Sequence, residues 1–212
     1  EPRDPVFVGG VGMAEIAAAT LRAVKAKKPQ LVVLAGITGA CDRTLRRGEV
    51  VEVVTERIAG IPERYAREYE TSGPDLGLPL AAGVTVSRSG DGAAAKDGPK
   101  SAAEGTGHAA GDAGFAEPHP GFTADDRAGY AADGTQRQTP EENPENTSEG
   151  YLPEVENMEG AAFFAVCDAL GVACCQIRAV SNYVGEPFGQ WAVEEAVGNL
   201  TEKLNQIFES NE

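Results

Sequence analysis

Three short stretches of the sequence place polar side chains or glycines beside apolar runs, and each of them could do chemistry. The first is "ENMEG" (156–160), where Glu159 stands directly before an apolar segment. The second is "RAVSN" (178–182), which ends in Asn182, and the third is "AGITGA" (35–40). A carboxylate can accept hydrogen bonds from a pair of ligand hydroxyls, and an amide offers a donor and an acceptor to a heterocycle. Glycines let the backbone approach a ligand closely.

Each stretch also has an ordinary structural explanation. A carboxylate in the first turn of a helix complements the positive end of the helix dipole, which is the commonest reason for a residue such as Glu159. Asn182 could be a turn residue that satisfies its own backbone. For residues 35–40 the sequence alone favours a tight turn between a strand and a helix. The helix after Glu159 is apolar on all faces, however, which predicts a buried start and a carboxylate that needs donors.

The elements that must position these residues follow from the hydrophobic periodicity. Strands are predicted at residues 6–8, 31–36, 48–56, 81–87 and 172–182, and helices between Met13 and Pro29, at 160–170 and at 193–208. The continuous apolar run at 31–36 is typical of a strand buried on both faces, which indicates a parallel sheet. We therefore predict an α/β fold, in which ligands bind beyond the carboxyl ends of the strands.

The charge of the chain limits its partners. Of its 212 residues, 33 are acidic and 18 are basic, so the formal net charge is -15. Such a chain repels phosphate backbones and anionic membrane surfaces, so we expect neither nucleic acid nor membrane as a partner. The sequence has no apolar run long enough to span a membrane and no signal-peptide pattern at residues 1–10, which predicts a cytoplasmic protein.

Neither a cofactor nor a metal ion is predicted. The glycines at 9, 10 and 12 follow a predicted strand, but a dinucleotide fingerprint would need glycine at Glu15. The four cysteines form no Cys-x-x-Cys pair and are expected to be reduced core residues; they are Cys41, Cys167, Cys174 and Cys175. Both histidines, His108 and His119, lie in a low-complexity tract, which argues against a Cys-His nucleophile or a zinc site.

We expect one domain over residues 1–212, interrupted by an insertion. Residues 88–150 are rich in Gly, Ala, Asp, Pro, Glu and Ser and follow no periodicity. This composition predicts an exposed, acidic and mostly disordered segment.

Four motifs in order carry a resemblance to a known family. They are "GVGMAEIAAAT", "LVVLAGITGACDRTLRRGEVV", "VENMEGAAFFAVC" and "QIRAVSNYV". Together they resemble the nucleoside phosphorylase and nucleosidase superfamily, and within it they look most like the futalosine hydrolases, relatives of the methylthioadenosine nucleosidases. The resemblance implies a twisted mixed sheet flanked by helices in three α/β/α layers, lacking its N-terminal strands here. It also implies a homo-oligomer, as a dimer or larger.

The resemblance further implies roles for individual residues. In such enzymes the Met-Glu pair packs under the ribose and binds its two hydroxyls, and the glycine-containing stretch after the second strand lines the same site. The substrate-binding residues expected on this basis are Met158, Glu159, Gly36, Ile37, Thr38 and Gly39. Asn182 is expected to be catalytic, because it would stabilise the departing purine. We expect Glu159 and Asn182 to face one cavity.

Residue 182 also indicates which purine is released. Methylthioadenosine nucleosidases carry Asp there, which suits a 6-amino group, whereas the NH₂ group of Asn182 can donate toward N7 and O6 of a 6-oxopurine such as hypoxanthine. The resemblance therefore implies hydrolysis of futalosine, with release of hypoxanthine, in menaquinone biosynthesis. A 6-oxopurine nucleoside phosphorylase or another purine nucleosidase is the alternative that Asn182 equally permits.

One expected residue has no counterpart in the sequence. Hydrolases of this family activate water with a Glu placed just after their first strand, and this sequence begins after that point. We expect either an N-terminally incomplete piece of a longer enzyme or a chain that has lost the base. The second possibility implies a non-catalytic nucleoside-binding protein. Glu15 is expected to face outward from the first helix, which disfavours it as a substitute.

Overall fold

Six strands form one mixed sheet in the computed structural model, which describes residues 5–41, 43–89 and 151–209. The strands are β1 (Leu31–Ala40), β2 (Val50–Ile58), β3 (Glu68–Glu70), β4 (Leu80–Thr85), β5 (Glu154–Asn157) and β6 (Ala173–Tyr183). Their order across the sheet is β3-β2-β4-β5-β1-β6. An additional antiparallel pairing of β2 with β6 closes five of the strands into a ring.

The long strand β1 lies next to both elements that carry predicted site residues. It pairs in parallel with β6 along its whole length, and its last two residues pair antiparallel with β5. Elsewhere in the sheet β2 and β5 run parallel to β4, whereas β3 runs antiparallel to β2. The predicted parallel sheet is therefore wrong in detail, and the twisted mixed sheet implied by the resemblance is confirmed.

Three helices cover the sheet: α1 (Met13–Lys27), α2 (Gly160–Leu170) and α3 (Val193–Glu209). Ile16, Thr20 and Ala23 line the buried side of α1 at helical spacing. The start of α2 is covered, as predicted, while its last three residues are exposed. Gly171 ends α2 with φ 62°, a left-handed conformation that glycine adopts without strain.

The alternation of residues along β1 separates two apolar cores. Leu34 packs with Phe163 of α2 and Ile16 of α1 on one face. Ile37, three residues further on, packs on the other face with the core that contains Ala196 of α3. Because successive side chains of a strand point to opposite faces, helices α1 and α2 form one outer layer and α3 the other. The predicted three-layer architecture is confirmed.

One predicted strand is wrong. Residues 6–8 form no strand, and the side chains of Val6 and Val8 are each 93% exposed. An apolar β-branched run becomes a strand when a neighbouring strand pairs with its backbone and its side chains are covered, and the described residues provide neither here. The short strand β5 was missed, because its sequence "EVEN" has acidic residues at alternate positions.

The structure also bears on the expectations for the insertion, the cysteines, membrane spans and metal sites. The insertion was predicted over residues 88–150. Except for Arg88 and Ser89, these residues lie outside the part of the chain that the structure describes. Cys167, Cys174 and Cys175 are buried free thiols, as expected of core residues. No helix in the described ranges is long and apolar enough to cross a membrane. The same ranges contain no group of three or more His, Cys, Asp or Glu side chains that could hold a metal ion.

The core between α2 and β1 generates a first prediction. Replacement of Phe163, which is 1% exposed, by Ala should lower the free energy of unfolding by about 3 to 5 kcal/mol, because it leaves a cavity. Phe188 is 73% exposed and packs on Trp191 alone among aromatic rings, so Phe188→Ala should cost less than about 1.5 kcal/mol. Urea denaturation of both variants measures the difference, and equal losses would contradict the assigned core.

Candidate active site

The first turn of α2 is capped by side chains from two strand ends. Asn157, the last residue of β5, accepts hydrogen bonds through Oδ1 from the backbone N–H of Glu159 at 3.0 Å and of Gly160 at 2.7 Å. Thr85, the last residue of β4, accepts one through Oγ1 from the N–H of Ala161 at 2.8 Å. These oxygens satisfy the N–H groups that a helix start leaves free. The carboxylate of Glu159 is therefore not needed as a cap.

Donors from three different segments hold that carboxylate instead. Oε1 of Glu159 accepts a hydrogen bond from the N–H of Gly12, at the start of α1, at 2.9 Å. Oε2 accepts one from Nη2 of Arg178 at 3.2 Å and one from the N–H of Met158 at 3.3 Å. The helix-dipole explanation accounts for the position of Glu159 in the chain, but these partners show that its side chain also links α1, α2 and β6.

Arg178 is the buried cation of this arrangement. Burial lowers the pKa of its guanidinium, and the negative charges of Glu159 and Glu56 oppose that effect. Nη1 donates to the carbonyl oxygen of Ile37 at 3.2 Å. A β-carbon at Gly36 would lie 2.5 Å from Nη1, so glycine at this position makes room for the guanidinium.

Behind Arg178 lies a buried carboxylate that sequence reasoning missed. Glu56, on β2, is 1% exposed and accepts hydrogen bonds from Oγ1 of Thr85 at 2.8 Å and from Nε2 of Gln176 at 3.0 Å. Nδ2 of Asn157 also donates to it. Burial raises the pKa of Glu56, although the three donors favour its charged form. The carboxylate thus holds the two residues that cap α2.

Two glycines provide the space for Glu56. A β-carbon at Gly83 or at Gly160 would collide with its carboxylate, and one at Gly160 would also lie 2.6 Å from Oε1 of Gln176. Glu56 ended a predicted strand and gave no sign of a buried role. The available signal was Gly83 in the middle of a β-branched run, which is typical of a close approach by another group.

Asn182 lies at the carboxyl end of β6 and is 1% exposed. Its Oδ1 accepts a hydrogen bond from Oγ of Ser181 at 2.8 Å, and its Nδ2 donates to the carbonyl oxygen of Tyr183 at 3.0 Å. An amide nitrogen carries two hydrogens, so a second one is left for a ligand. A β-carbon at Gly39 would lie 3.1 Å from Nδ2, which places the amide over that glycine.

A bulge in β6 sets the direction in which Asn182 faces. Thr38 of β1 pairs with Val180, but the next residue, Gly39, pairs with Asn182. Ser181 is therefore an extra residue of β6 that has no residue of β1 opposite it in the register, although its Oγ donates to the carbonyl oxygen of Thr38 at 3.2 Å. Such a bulge shifts the following side chains to the other face of the sheet.

As a result, the two polar groups on β6 lie on opposite faces. Arg178 lies against Gly36 and Asn182 against Gly39, and residues three apart on an extended strand point to opposite sides. Within the described ranges no hydrogen bond joins Asn182 to Glu159 or to Arg178. The expected cavity shared by Glu159 and Asn182 stays a prediction.

The stretch 35–40 is not a turn. The prediction of a tight strand-to-helix turn is wrong, because β1 continues through Ala40 as the partner of both β5 and β6. Thr38 is buried and donates through Oγ1 to the carbonyl oxygen of Glu156 at 2.7 Å. Gly36 and Gly39 accommodate side chains of β6, so contact of the stretch with a ligand stays a prediction.

A cleft of about 370 Å³ lies elsewhere, between α3 and the start of β2. None of the predicted site residues lines it. Its lining residues are Gly48, Val50, Gly77, Leu78, Pro79, Asn199, Glu202, Lys203 and Gln206.

A mixed sheet closed into a ring, with helices on both faces and polar groups at the ends of β5 and β6, defines the fold of the nucleoside phosphorylase-like α/β proteins. The chain belongs to the phosphorylase superfamily, whose family model matches residues 5–210.

Known proteins of this superfamily resemble the chain at different levels. The futalosine hydrolase of Thermus thermophilus is 34% identical over 95 residues, a match that spans 42% of this chain and 42% of that relative. The S-adenosylhomocysteine nucleosidase of Streptococcus pyogenes, solved with 5-methylthiotubericidin, is 14% identical with a TM-score of 0.62, over 96% of this chain and 78% of that one. A futalosine hydrolase mutant of Helicobacter pylori is 12% identical with a TM-score of 0.53, over 95% and 78%. At these identities the solved structures establish the fold.

The packing around Glu56 generates a second prediction. Gly160→Ala should lower the free energy of unfolding by about 1 to 3 kcal/mol, because its methyl group overlaps a buried carboxylate. Gly198, on α3, is the matched control: it is exposed and nothing lies within 4 Å of its β-carbon position. Gly198→Ala should raise stability by about 0.5 to 1 kcal/mol. Thermal denaturation checks both signs, and a neutral Gly160→Ala would contradict the tight contact.

Proposed function

We propose that the protein is a nucleosidase that hydrolyses the N-glycosidic bond of futalosine and releases hypoxanthine, as a step of menaquinone biosynthesis. The observation that carries the proposal is the Asn182 amide, buried at the end of β6 with Ser181 and Tyr183 fixing its orientation. The partial match to a futalosine hydrolase supports the choice of substrate.

In this proposal Asn182 reads and stabilises the leaving base. Ser181 donates to Oδ1, which identifies that atom as the acceptor and leaves Nδ2 as the donor side of the amide. A donor is what N7 and O6 of a 6-oxopurine require as negative charge develops on the departing ring. A fixed donor that needs no reorientation during the reaction lowers the barrier most effectively.

Glu159 and Met158 hold the ribose. The carboxylate of Glu159 has about four acceptor positions on its two oxygens, and three protein donors reach it. A ribose hydroxyl can take a further position, with the orientation of the carboxylate already set by Arg178. Cleavage proceeds through an oxocarbenium-like state, and a clamped ribose keeps the reacting carbon in line with water.

The water-activating residue is not assigned in this proposal. Glu15 is exposed on α1, in agreement with the outward orientation expected for it. The proposal includes a cytoplasmic location and a homo-oligomer, dimer or larger. Light scattering of the purified protein measures the oligomer size.

The central experiment measures hypoxanthine released from futalosine by liquid chromatography, with and without inorganic phosphate. We expect equal release in both buffers, because water is the nucleophile. Release that requires phosphate would replace the proposal by a 6-oxopurine nucleoside phosphorylase, the alternative that Asn182 equally permits. Binding of futalosine without release in either buffer would indicate a non-catalytic nucleoside-binding protein.

Asn182→Asp provides a third prediction. A protonated Asp can donate to N7 and accept from a 6-amino group, so kcat/KM should shift by about 100-fold toward 6-aminopurine nucleosides. The matched control is Asn199→Asp, because Asn199 lies on the surface of α3, donates to the carbonyl oxygen of Gly48 and forms no hydrogen bond with any of the proposed site residues. An unchanged preference in Asn182→Asp would remove this residue from base recognition.

Glu159→Gln provides a fourth prediction. The change should remove about 2 to 4 kcal/mol of transition-state stabilisation, and it also leaves the buried Arg178 without its carboxylate, so some stability is lost. The ratio of kcat/KM for a ribonucleoside and its 2′-deoxy analogue separates the two effects. If Glu159 grips the hydroxyls, wild type discriminates against the analogue and the variant does not. Equal discrimination by wild type and by Glu159→Gln would indicate that Glu159 has only a structural role.

A further inference from the structure

The chain folds back on itself directly after β6, and Glu186 closes that turn. The N–H of Glu186 donates to the carbonyl oxygen of Tyr183 at 3.1 Å. Its side-chain Oε2 accepts a hydrogen bond from the N–H of the same tyrosine at 2.9 Å. Gly185, inside the turn, has φ 92°, which glycine adopts without strain. Glu186 therefore holds both backbone polar groups of Tyr183.

These two backbone groups also determine where the Asn182 amide lies. The N–H of Tyr183 belongs to the planar peptide bond that follows Asn182, so its hydrogen bond to Glu186 restricts the backbone at Asn182. The carbonyl oxygen of Tyr183 accepts Nδ2 of Asn182 at 3.0 Å. A carbonyl oxygen has two lone pairs, so it can accept from Nδ2 and from the N–H of Glu186 together. The direction of Nδ2 is thus set through Tyr183.

Contacts from two other segments hold Glu186 in place. Oε1 of Glu186 accepts a hydrogen bond from Nη2 of Arg47, between β1 and β2, at 2.6 Å, and its carbonyl oxygen accepts one from Nε1 of Trp191 at 3.0 Å. The guanidinium of Arg47 also lies over the Tyr183 ring, 5.3 Å from its centroid. The hydrogen bond from Arg47, followed by that from the N–H of Tyr183, lowers the pKa of the Glu186 carboxyl. The carboxylate is therefore ionised at neutral pH and acts as an acceptor only.

We infer, on the basis of the proposed function, that Glu186 is a positioning residue, which acts through Tyr183 to aim Nδ2 of Asn182 at the leaving base. Glu186 does not touch the substrate in this role. A donor stabilises developing charge most effectively when its orientation is set in advance. An amide tethered to one carbonyl oxygen keeps its direction while that oxygen stays in place. Loss of the Glu186 side chain should therefore misdirect the donor without removing it.

A second ion pair of the same kind supplies a matched control. Nη2 of Arg57 lies 2.7 Å from Oε1 of Glu154, and the two side chains are 38% and 14% exposed. For Arg47 and Glu186 the distance is 2.6 Å, and the side chains are 38% and 18% exposed. The two pairs should contribute similarly to stability, whereas the hydrogen bonds that reach Asn182 through Tyr183 start from Glu186.

The experiment compares kcat/KM for futalosine and for its 6-amino analogue in wild type, Glu186→Ala and Glu154→Ala. Glu186→Ala should reduce the preference for futalosine by about 10-fold, mainly through kcat, because the donor is misaligned when charge develops on the base. Glu154→Ala should keep the wild-type preference within about threefold. A variant that only loses stability loses active enzyme for both substrates equally, so its preference would not change.

The Asn182→Ala background tests whether Glu186 acts through Asn182. In this background the additional change Glu186→Ala should lower kcat/KM for futalosine by less than about threefold, because no amide remains to be aimed. A loss as large as the one that Glu186→Ala causes in the wild-type background would overturn the positioning role.

A measurement on the free protein separates this role from the proposed function. The NMR order parameter of the Asn182 Nδ2 group should be about 0.85 in wild type and in Glu154→Ala, and below about 0.6 in Glu186→Ala. Arg47→Met removes the ion pair from its exposed side and should change the order parameter in the same direction, which covers a Glu186→Ala protein that does not fold.

An unchanged order parameter in these variants would overturn the positioning role, while futalosine cleavage by wild type still upheld the proposed function. A lowered order parameter in a protein whose wild type cleaves no futalosine would leave Glu186 as the group that orients Asn182 and would overturn the proposed function.

Discussion

A guanidinium with almost no access to water needs a negative partner, and Arg178 obtains one from Glu159. Replacing one member of such an ion pair destabilises a protein more than replacing both members by apolar residues, because the remaining charge stays buried without a partner. The same carboxylate accepts the N–H of Gly12, so the ion pair joins the start of α1 to the start of α2 and to β6. The orientation of Glu159 is thereby fixed by the fold, which is what the proposed ribose-binding role requires of a preorganised group.

The second constraint is the extra residue in β6. Without the bulge at Ser181, Asn182 would lie on the same side of β1 as Arg178, beneath α2. With it, the amide lies on the side of α3, beside Gly39 and across from Glu156. A molecule that contacts both Glu159 and Asn182 must therefore lie beyond the ends of the strands, where the two faces meet. Ligands of open α/β sheets bind at the corresponding place.

Much of this architecture follows from patterns in the sequence, and the failures have clear physical causes. Long apolar runs such as 31–36 and 172–182 predict their strands because burial on both faces leaves no other use for them. The run at 6–8 has the same local character, but a strand also needs a partner, which local patterns do not reveal. Strand β5 fails in the opposite way, because its register is imposed by β1 and β4 while its own residues are acidic.

Some residues of the candidate site can likewise be recognised from sequence patterns, and others cannot. Glu159 and Asn182 stand out in sequence because polar residues border apolar runs. Glu56 and Arg178 do not stand out. Glu56 is bonded to Asn157 and lies near the charge of Arg178, and both residues are far from it in sequence, so only the fold brings these groups together. Periodicity describes which face a residue occupies, and it contains no information on what lies opposite.

The contact of Glu56 with Gly83 and Gly160 also restricts the order in which this region can change during evolution. While the carboxylate is present, neither glycine can acquire even a methyl group without a collision. A shorter side chain at position 56 would have to appear first, and it would leave Asn157 and Thr85 without their acceptor. A single substitution at either glycine or at position 56 therefore gives a less stable protein. We expect positions 56, 83 and 160 to change together in evolution or to stay unchanged.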